Sequence, residues 1–194
     1  MKTRKNFFMY NGYSKIMSSL AKPNMIKILN KIRQIGIISE PITLDDPELH
    51  KIGNLVQAKI ATQFAGSLAI RQVDVGSCNA CELEIHALNN PYYSISRFGV
   101  HFVASPRHAD MLLVTGVVSR HMETALLRTY DVTPAPKLVI AAGDCAANGG
   151  EFGISYASCG AVSNVLPVDA VIEGCPPTPL ALLKGILGIL SRRQ

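Results

Sequence analysis

The chain has 194 residues and 20.9 kDa, with Lys+Arg 19 against Asp+Glu 14, a formal net charge of +5. That length holds one ordinary domain plus an extension, not two full domains. With 48% hydrophobic and 17% charged residues the chain can build a core, which excludes disorder throughout.

The charge is uneven along the chain. Residues 1–39 carry eight basic groups (Lys2, Arg4, Lys5, Lys15, Lys22, Lys27, Lys31, Arg33) and no acid. The remaining 155 residues hold 11 basic and 14 acidic groups, a net of −3. Within this basic leader, Met25, Ile28, Leu29, Ile32 and Ile35 recur at helical spacing, with Lys27 and Lys31 opposite them. Pro23 and Gly36 bracket the pattern, so a short basic amphipathic helix is predicted. Three readings stand side by side: an anchor on an anionic membrane or a partner, a solvated arm, or an organellar transit segment. Residues 39–48 (SEPITLDDPE) form a link, and a helix is predicted over Leu49–Ala65. The organisation expected is a leader over 1–39, a link and helix over 40–66, and a domain over 67–194.

Beyond residue 66, short β-rich runs alternate with helical patterns. Strands are predicted at Ala69–Val75, Val100–Val103, Met111–Val114, Lys137–Ala141 and Asp169–Ile172, and helices at Asn79–Leu88, Arg120–Tyr130 and Thr178–Leu190. The alternation predicts an α/β domain with a mainly parallel sheet. Leu180–Leu190 is short and is interrupted by Lys184, Gly185 and Gly188, so no membrane-spanning helix is expected. A mean hydropathy of +0.21 fits a subunit that hides surface against partners.

Five cysteines stand at 78, 81, 145, 159 and 175. Three share a local form (VDVGSC, VIAAGDC and AVIEGC), each a predicted strand, then a Gly, then a Cys. The carboxyl ends of parallel strands share one edge, where open α/β sheets bind ligands. Cys78, Cys145 and Cys175 are therefore expected on one rim, and Cys81 joins them from the same loop as Cys78. Gly76, Gly143 and Gly174 would let the backbone turn tightly around a bulky inorganic centre. Four thiolates suit an iron–sulfur cubane or a structural zinc. A single C-x-x-C pair favours the cluster over a zinc ribbon, a redox pair at 78/81 stays open, and disulfides rank last. Pro176 after Cys175 echoes the Cys-Pro that often closes cluster motifs.

Four blocks, VDVGSCNACELEIHAL, SPRHADMLLVTG, AAGDCAANGGEFGISYASCG and PVDAVIEGCPPTPLALLKGIL, together resemble one family over about Val73 to Leu190. It is the small electron-transfer subunit shared by respiratory complex I (the 20 kDa, B-type subunit) and the energy-converting [NiFe] hydrogenases. The resemblance implies a flavodoxin-like parallel sheet with helices on both faces and one [4Fe-4S] cluster at its carboxyl edge. The ligands it implies are Cys78, Cys81, Cys145 and Cys175, with no residue doing bond chemistry. Cys159 matches no ligand and reads as a small buried hydrophobe.

Complex I subunits carry two adjacent cysteines in the first motif, whereas here Asn79 and Ala80 separate Cys78 from Cys81. The C-x-x-C form followed by Glu82 looks like the hydrogenase-4, formate hydrogenlyase and Ech type. The implied function is a relay of electrons to a large subunit's nickel–iron site. A quinone-reducing B-type subunit is the alternative, and a metal-stabilised flavodoxin-like binding module is the rival of another class. Implied partners are that large subunit, a ferredoxin-like iron–sulfur subunit and membrane-arm subunits. The implied location is peripheral, at the cytoplasmic face of the inner membrane, with the mitochondrial matrix side second. Nucleic-acid binding is not expected: aromatics are 6%, Trp is absent, and the basic residues lack aromatic interleaving.

Other residues receive secondary roles. Glu82 and Glu84 suit a helix amino end, with Glu82 also a candidate for the partner interface. Arg107, in the family's SPR-x-x-D pattern, either sets positive charge beside the centre or pairs with Asp110. Asn148, Gly149 and Gly150 are expected to shape the Cys145 loop and to give N–H groups to cluster sulfurs. His86, His101, His108 and His121 read as structural or interfacial.

Overall fold

A computed structural model describes residues 25–35 and 46–192. Most of the basic leader and of the Pro- and Asp-rich link therefore lies outside the described residues. The chain divides into two units, Met1–Thr43 and Leu44–Gln194.

In the first unit, α1 spans Met25–Ile35 and contains no acid in its first turn and Arg33 in its last. Ile26, Leu29, Ile32 and Ile35 are all exposed, as are Lys31 and Arg33. The segment is thus helical where the apolar periodicity predicts it.

In the second unit, α2 spans Pro47–Gln63. Its start is set locally: the Asp46 carboxylate accepts hydrogen bonds from the N–H groups of Glu48 (3.0 Å) and Leu49 (3.3 Å), and Pro47 sits where no N–H is needed. Strands β1 (Leu68–Asp74), β2 (Val100–Phe102), β3 (Met111–Thr115), β5 (Leu138–Ala142) and β7 (Ala170–Ile172) form a sheet of five, all parallel, in the order β2-β1-β3-β5-β7. Counted along the sheet alone, that is the doubly wound order in which β1 and β3 part at the switch point.

β3 and β5 are buried at every position, as continuous apolar runs covered on both sides must be. Side chains alternate between two cores. Met111, Leu113, Ile140 and Ala142 join α2, α3 (Ala80–Ala87) and α6 (Pro179–Arg192) on one face. Leu112, Val114, Val139 and Ala141 meet Leu126 of α4 (Arg120–Val132) and Ala146 of α5 (Asp144–Asn148) on the other. Replacing fully buried Leu113 by Ala should cost about 2–5 kcal/mol, read as a lower urea midpoint at unchanged m-value.

All five predicted strands and the predicted helices are present, with ends shifted by one or two residues. Not anticipated were α5 and the antiparallel pair β4 (Val118–Ser119) and β6 (Ser158–Gly160). Gly185, read from the sequence only as an interruption, has a packing reason. A Cβ there would lie 2.4 Å from the Ile172 side chain, so glycine lets α6 press against β7.

Candidate metal centre

The carboxyl ends of β1, β5 and β7 each run into a glycine and then a cysteine. After β1, the Asp74 carboxylate accepts from the N–H groups of Gly76 and Ser77, both at 2.9 Å, and so bends the chain toward exposed Cys78. A neighbouring turn packs tightly against this loop: a Cβ on Gly116 would fall 2.4 Å from the Ser77 nitrogen. Asn79, at φ +72°, leads into α3, whose first turn places Cys81 inward at 9% exposure.

After β5, Gly143 (φ +90°) turns the chain into α5, which carries half-buried Cys145. A Cβ on Gly143 would stand 2.7 Å from the Cys81 sulfur, and one on Gly150 would stand 2.9 Å from the Cys145 sulfur. After β7, Gly174 (φ +133°) delivers exposed Cys175. Gly143 and Gly150 therefore line the Cys81 and Cys145 sulfurs closely.

Electrostatics shows which thiols share a neighbourhood. Burial, then the Glu82 charge, then Cys78, Cys145 and Cys175 push the Cys81 thiol from 9.0 up to about 11. Burial first, then Cys175 and Cys78, raise Cys145. Cys159 is also raised, by burial and by its hydrogen bond to Glu123, with no contribution from another thiol. Yet among the described residues no three His, Cys, Asp or Glu side chains come close enough together to hold a single metal ion. Four thiols within reach of one another's charge are soft donors that could serve a metal centre.

A raised folded-state pKa means that folding favours the neutral Cys81 thiol. In the iron-free chain this contribution is intact below about pH 9 and is lost as pH rises toward about 11. The urea midpoint of the iron-free protein should therefore fall between those limits, and fall less in Cys81→Ser.

Cys159 is buried and donates its S–H to the Glu123 carboxylate at 3.3 Å, while Arg120 pairs with Glu123 at 3.6 Å. It is buried as read from the sequence, with a polar tie in addition. Arg107 and Asp110 form no ion pair: the Asp110 carboxylate accepts from the Ala69 N–H at 2.9 Å, and Arg107 lies exposed in a turn entering β3 at its amino end. The thiols gather at the opposite ends of the strands, so neither role read for Arg107 has support here.

The Asn148 loop also differs from expectation. The Gly149 N–H donates to the Cys145 carbonyl at 3.0 Å and the Gly150 N–H to the Asn148 side chain at 2.8 Å. These residues shape the loop, and the Gly149 and Gly150 N–H groups are already spent within it. The four histidines at 86, 101, 108 and 121 are exposed.

Glu82 is the site residue whose surroundings the sequence did not reveal. It is 5% exposed, and neither carboxylate oxygen has a hydrogen-bond partner within the described residues. The helix-end position was legible, but burial was not, because burial depends on what packs over the turn. Asp144 was missed as well: its carboxylate accepts from the Gly174 N–H at 2.7 Å. An acid directly before a candidate ligand, in GDC, was the available signal.

A profile of the family described as "NADH ubiquinone oxidoreductase, 20 Kd subunit" matches residues 78–189, well over half of the chain. The chain belongs to that family. Formate hydrogenlyase subunit 7 of Escherichia coli is 40% identical over 164 residues, covering 83% of this chain. This chain spans 62% of the length of that relative. A protein described as "Probable membrane-bound hydrogenase subunit mbhJ", from Pyrococcus furiosus, is 44% identical over 62% of this chain and 72% of its own length. Among solved structures, a chain of the membrane-bound sulfane sulfur reductase, an archaeal respiratory membrane complex, aligns with a TM-score of 0.58 at 32% identity. That alignment covers 70% of this chain and 74% of the other. The resemblance read from the four sequence blocks is borne out at the level of family.

Proposed function

We propose that the chain is the electron-relay small subunit of a membrane-associated oxidoreductase complex, holding one [4Fe-4S] cluster on Cys78, Cys81, Cys145 and Cys175. The observation that carries this reading is the gathering of four mutually interacting thiols at the carboxyl edge of a doubly wound sheet, in a cradle of glycines. One C-x-x-C pair with Cys145 and Cys175 standing alone suits a cluster better than a zinc ribbon, zinc being the metal of the binding-module alternative. When bound, such a cluster takes up and releases single electrons. The chain's own work is to hold the centre, set its potential through charge, hydrogen bonds and burial, and present it to a partner.

The acceptor we infer is the nickel–iron site of a large subunit. The C-x-x-C spacing of Cys78 and Cys81 supports this, together with the hydrogenase and hydrogenlyase subunits among the relatives. A quinone-type large subunit is the second reading, favoured by the name of the matched family. The loop after Cys145 exposes Phe152 (70%), Ile154 (73%) and Tyr156 (97%), and α3 exposes Leu83 beside Cys81. Apolar surface of this kind, next to the thiols, suits a covered interface with the large subunit. A ferredoxin-like subunit would supply electrons, and membrane-arm subunits would complete the complex.

Among the described residues no helix is long and apolar enough to cross a membrane. Basic, amphipathic α1 supports peripheral attachment at the cytoplasmic face of an anionic bilayer. Anaerobic reconstitution of the full chain with iron and sulfide should give a broad absorbance near about 400 nm and about four irons per chain. A colourless protein that takes up one zinc would overturn the relay. Co-purification then identifies the acceptor, since a large subunit with C-x-x-C pairs near both ends supports nickel–iron and one without them supports quinone.

A further inference from the structure

Two of the four thiols are tied together by a feature of the backbone that the relay reading does not itself require. The Asp144 N–H donates to the Gly174 carbonyl at 3.0 Å, and the Gly174 N–H returns to the Asp144 carboxylate at 2.7 Å. This closed pair of bonds joins the residue immediately before Cys145 to the residue immediately before Cys175. The Gly143 N–H, on the Ile172 carbonyl at 2.7 Å, extends the same seam.

We propose that Asp144 is a positioning residue for the metal centre: its carboxylate locks the Cys145 and Cys175 loops at one separation and holds a negative charge beside the sulfurs that lowers the centre's potential. The inference rests on the cluster reading and deepens it. Adding an electron to a centre beside a fixed anion costs more than adding it beside a neutral group, and a partly buried site screens that cost poorly.

The same reciprocal motif occurs twice more, and the comparison separates charge from geometry. Asp110 exchanges bonds with Ala69 (2.8 and 2.9 Å), and Asp169 exchanges bonds with Val139 (2.9 and 2.7 Å). Both lie at the amino ends of β3 and β7, where the carboxylate takes a ladder-end N–H with no thiol nearby. Asp169 and Gly174 are separated by β7, roughly 16 Å of extended chain, which exceeds the Debye length at physiological salt. Asp169 is therefore a control with the same hydrogen bonds and a remote charge.

The test uses the cluster-loaded full chain and its variants Asp144→Asn, Asp144→Ala and Asp169→Asn. The readouts are irons per chain and the midpoint potential from an EPR-monitored redox titration. Asn keeps an acceptor for the Gly174 N–H but removes the charge, so D144N should retain its iron and shift to a higher potential. D144A loses the clamp too, and should shift upward while holding less iron and bleaching faster. D169N should match the unmodified protein in potential. A D144N midpoint equal to that of D169N would overturn the charge role, and a D144A as iron-rich and as slow to bleach as the unmodified protein would overturn the clamp. Failure of the cluster reading looks different, because then the unmodified chain itself takes up no iron.

Discussion

Cys81→Ser is expected to leave the chain essentially without iron, the largest effect of any single substitution at the rim. Cys81 is the innermost of the four thiols, with only 9% exposure, and its raised pKa shows how strongly this pocket resists an isolated negative charge. Metal binding must remove that proton, and a soft thiolate repays the cost through its bonds to iron, whereas a serine hydroxyl is harder and far less acidic. Losing an outer partner of a metal ligand typically costs about 10–100-fold in affinity, so losing the ligand should cost at least that. Iron and sulfide analysis after anaerobic reconstitution measures it. Cys159→Ser supplies the contrast, because Cys159 is tied to Glu123 and feels none of the other thiols. It should keep its full iron content, and equal loss in both variants would remove Cys81 from the ligand set.

Gly143→Ala is expected to damage both fold and site. Gly143 sits at φ +90° and ψ +157°, a region essentially confined to glycine, where a side chain costs about 1–3 kcal/mol. The added methyl would also stand 2.7 Å from the Cys81 sulfur, adding about 1–3 kcal/mol of overpacking. In the iron-free chain the sulfur can swing aside and relieve part of this, but a sulfur engaged as a ligand cannot. The urea midpoint of the iron-free form should therefore fall modestly, while iron retention should fall sharply. Gly153→Ala supplies a milder positive-φ comparison without crowding, since Gly153 has φ +53° and open space where its Cβ would go. A Gly143→Ala protein no worse than Gly153→Ala would mean that the cradle tolerates a methyl at the sulfur.

The strands, the main helices and the family were legible in the sequence because their signals are local or repeated. Met111–Val114 and Lys137–Ala141 read as strands from apolar runs, and the three strand–Gly–Cys forms implied a shared rim once the sheet was taken as parallel. Arg107 was misjudged because the strand-direction rule that placed the thiols was not applied to it. It precedes β3, and a residue that precedes a parallel strand lies at the amino end, away from the rim that residues following the strands share. The short pair β4 and β6 escaped notice because two- and three-residue strands have no period to detect.

The opening charge divides between these two kinds of information. The sequence by itself determined that +5 is the sum of a basic leader and an acidic remainder, that cysteine is placed after strand and glycine, and that the family blocks occur in order. Such properties follow from composition and short-range order along the chain. Only the tertiary structure decided that Glu82 is buried without a partner among the described residues, that the Gly149 and Gly150 donors are spent within their own loop, and that Asp144 and Gly174 bind each other across 30 residues. Burial and hydrogen-bond satisfaction are properties of neighbours in space, and those neighbours come from strands far apart in sequence.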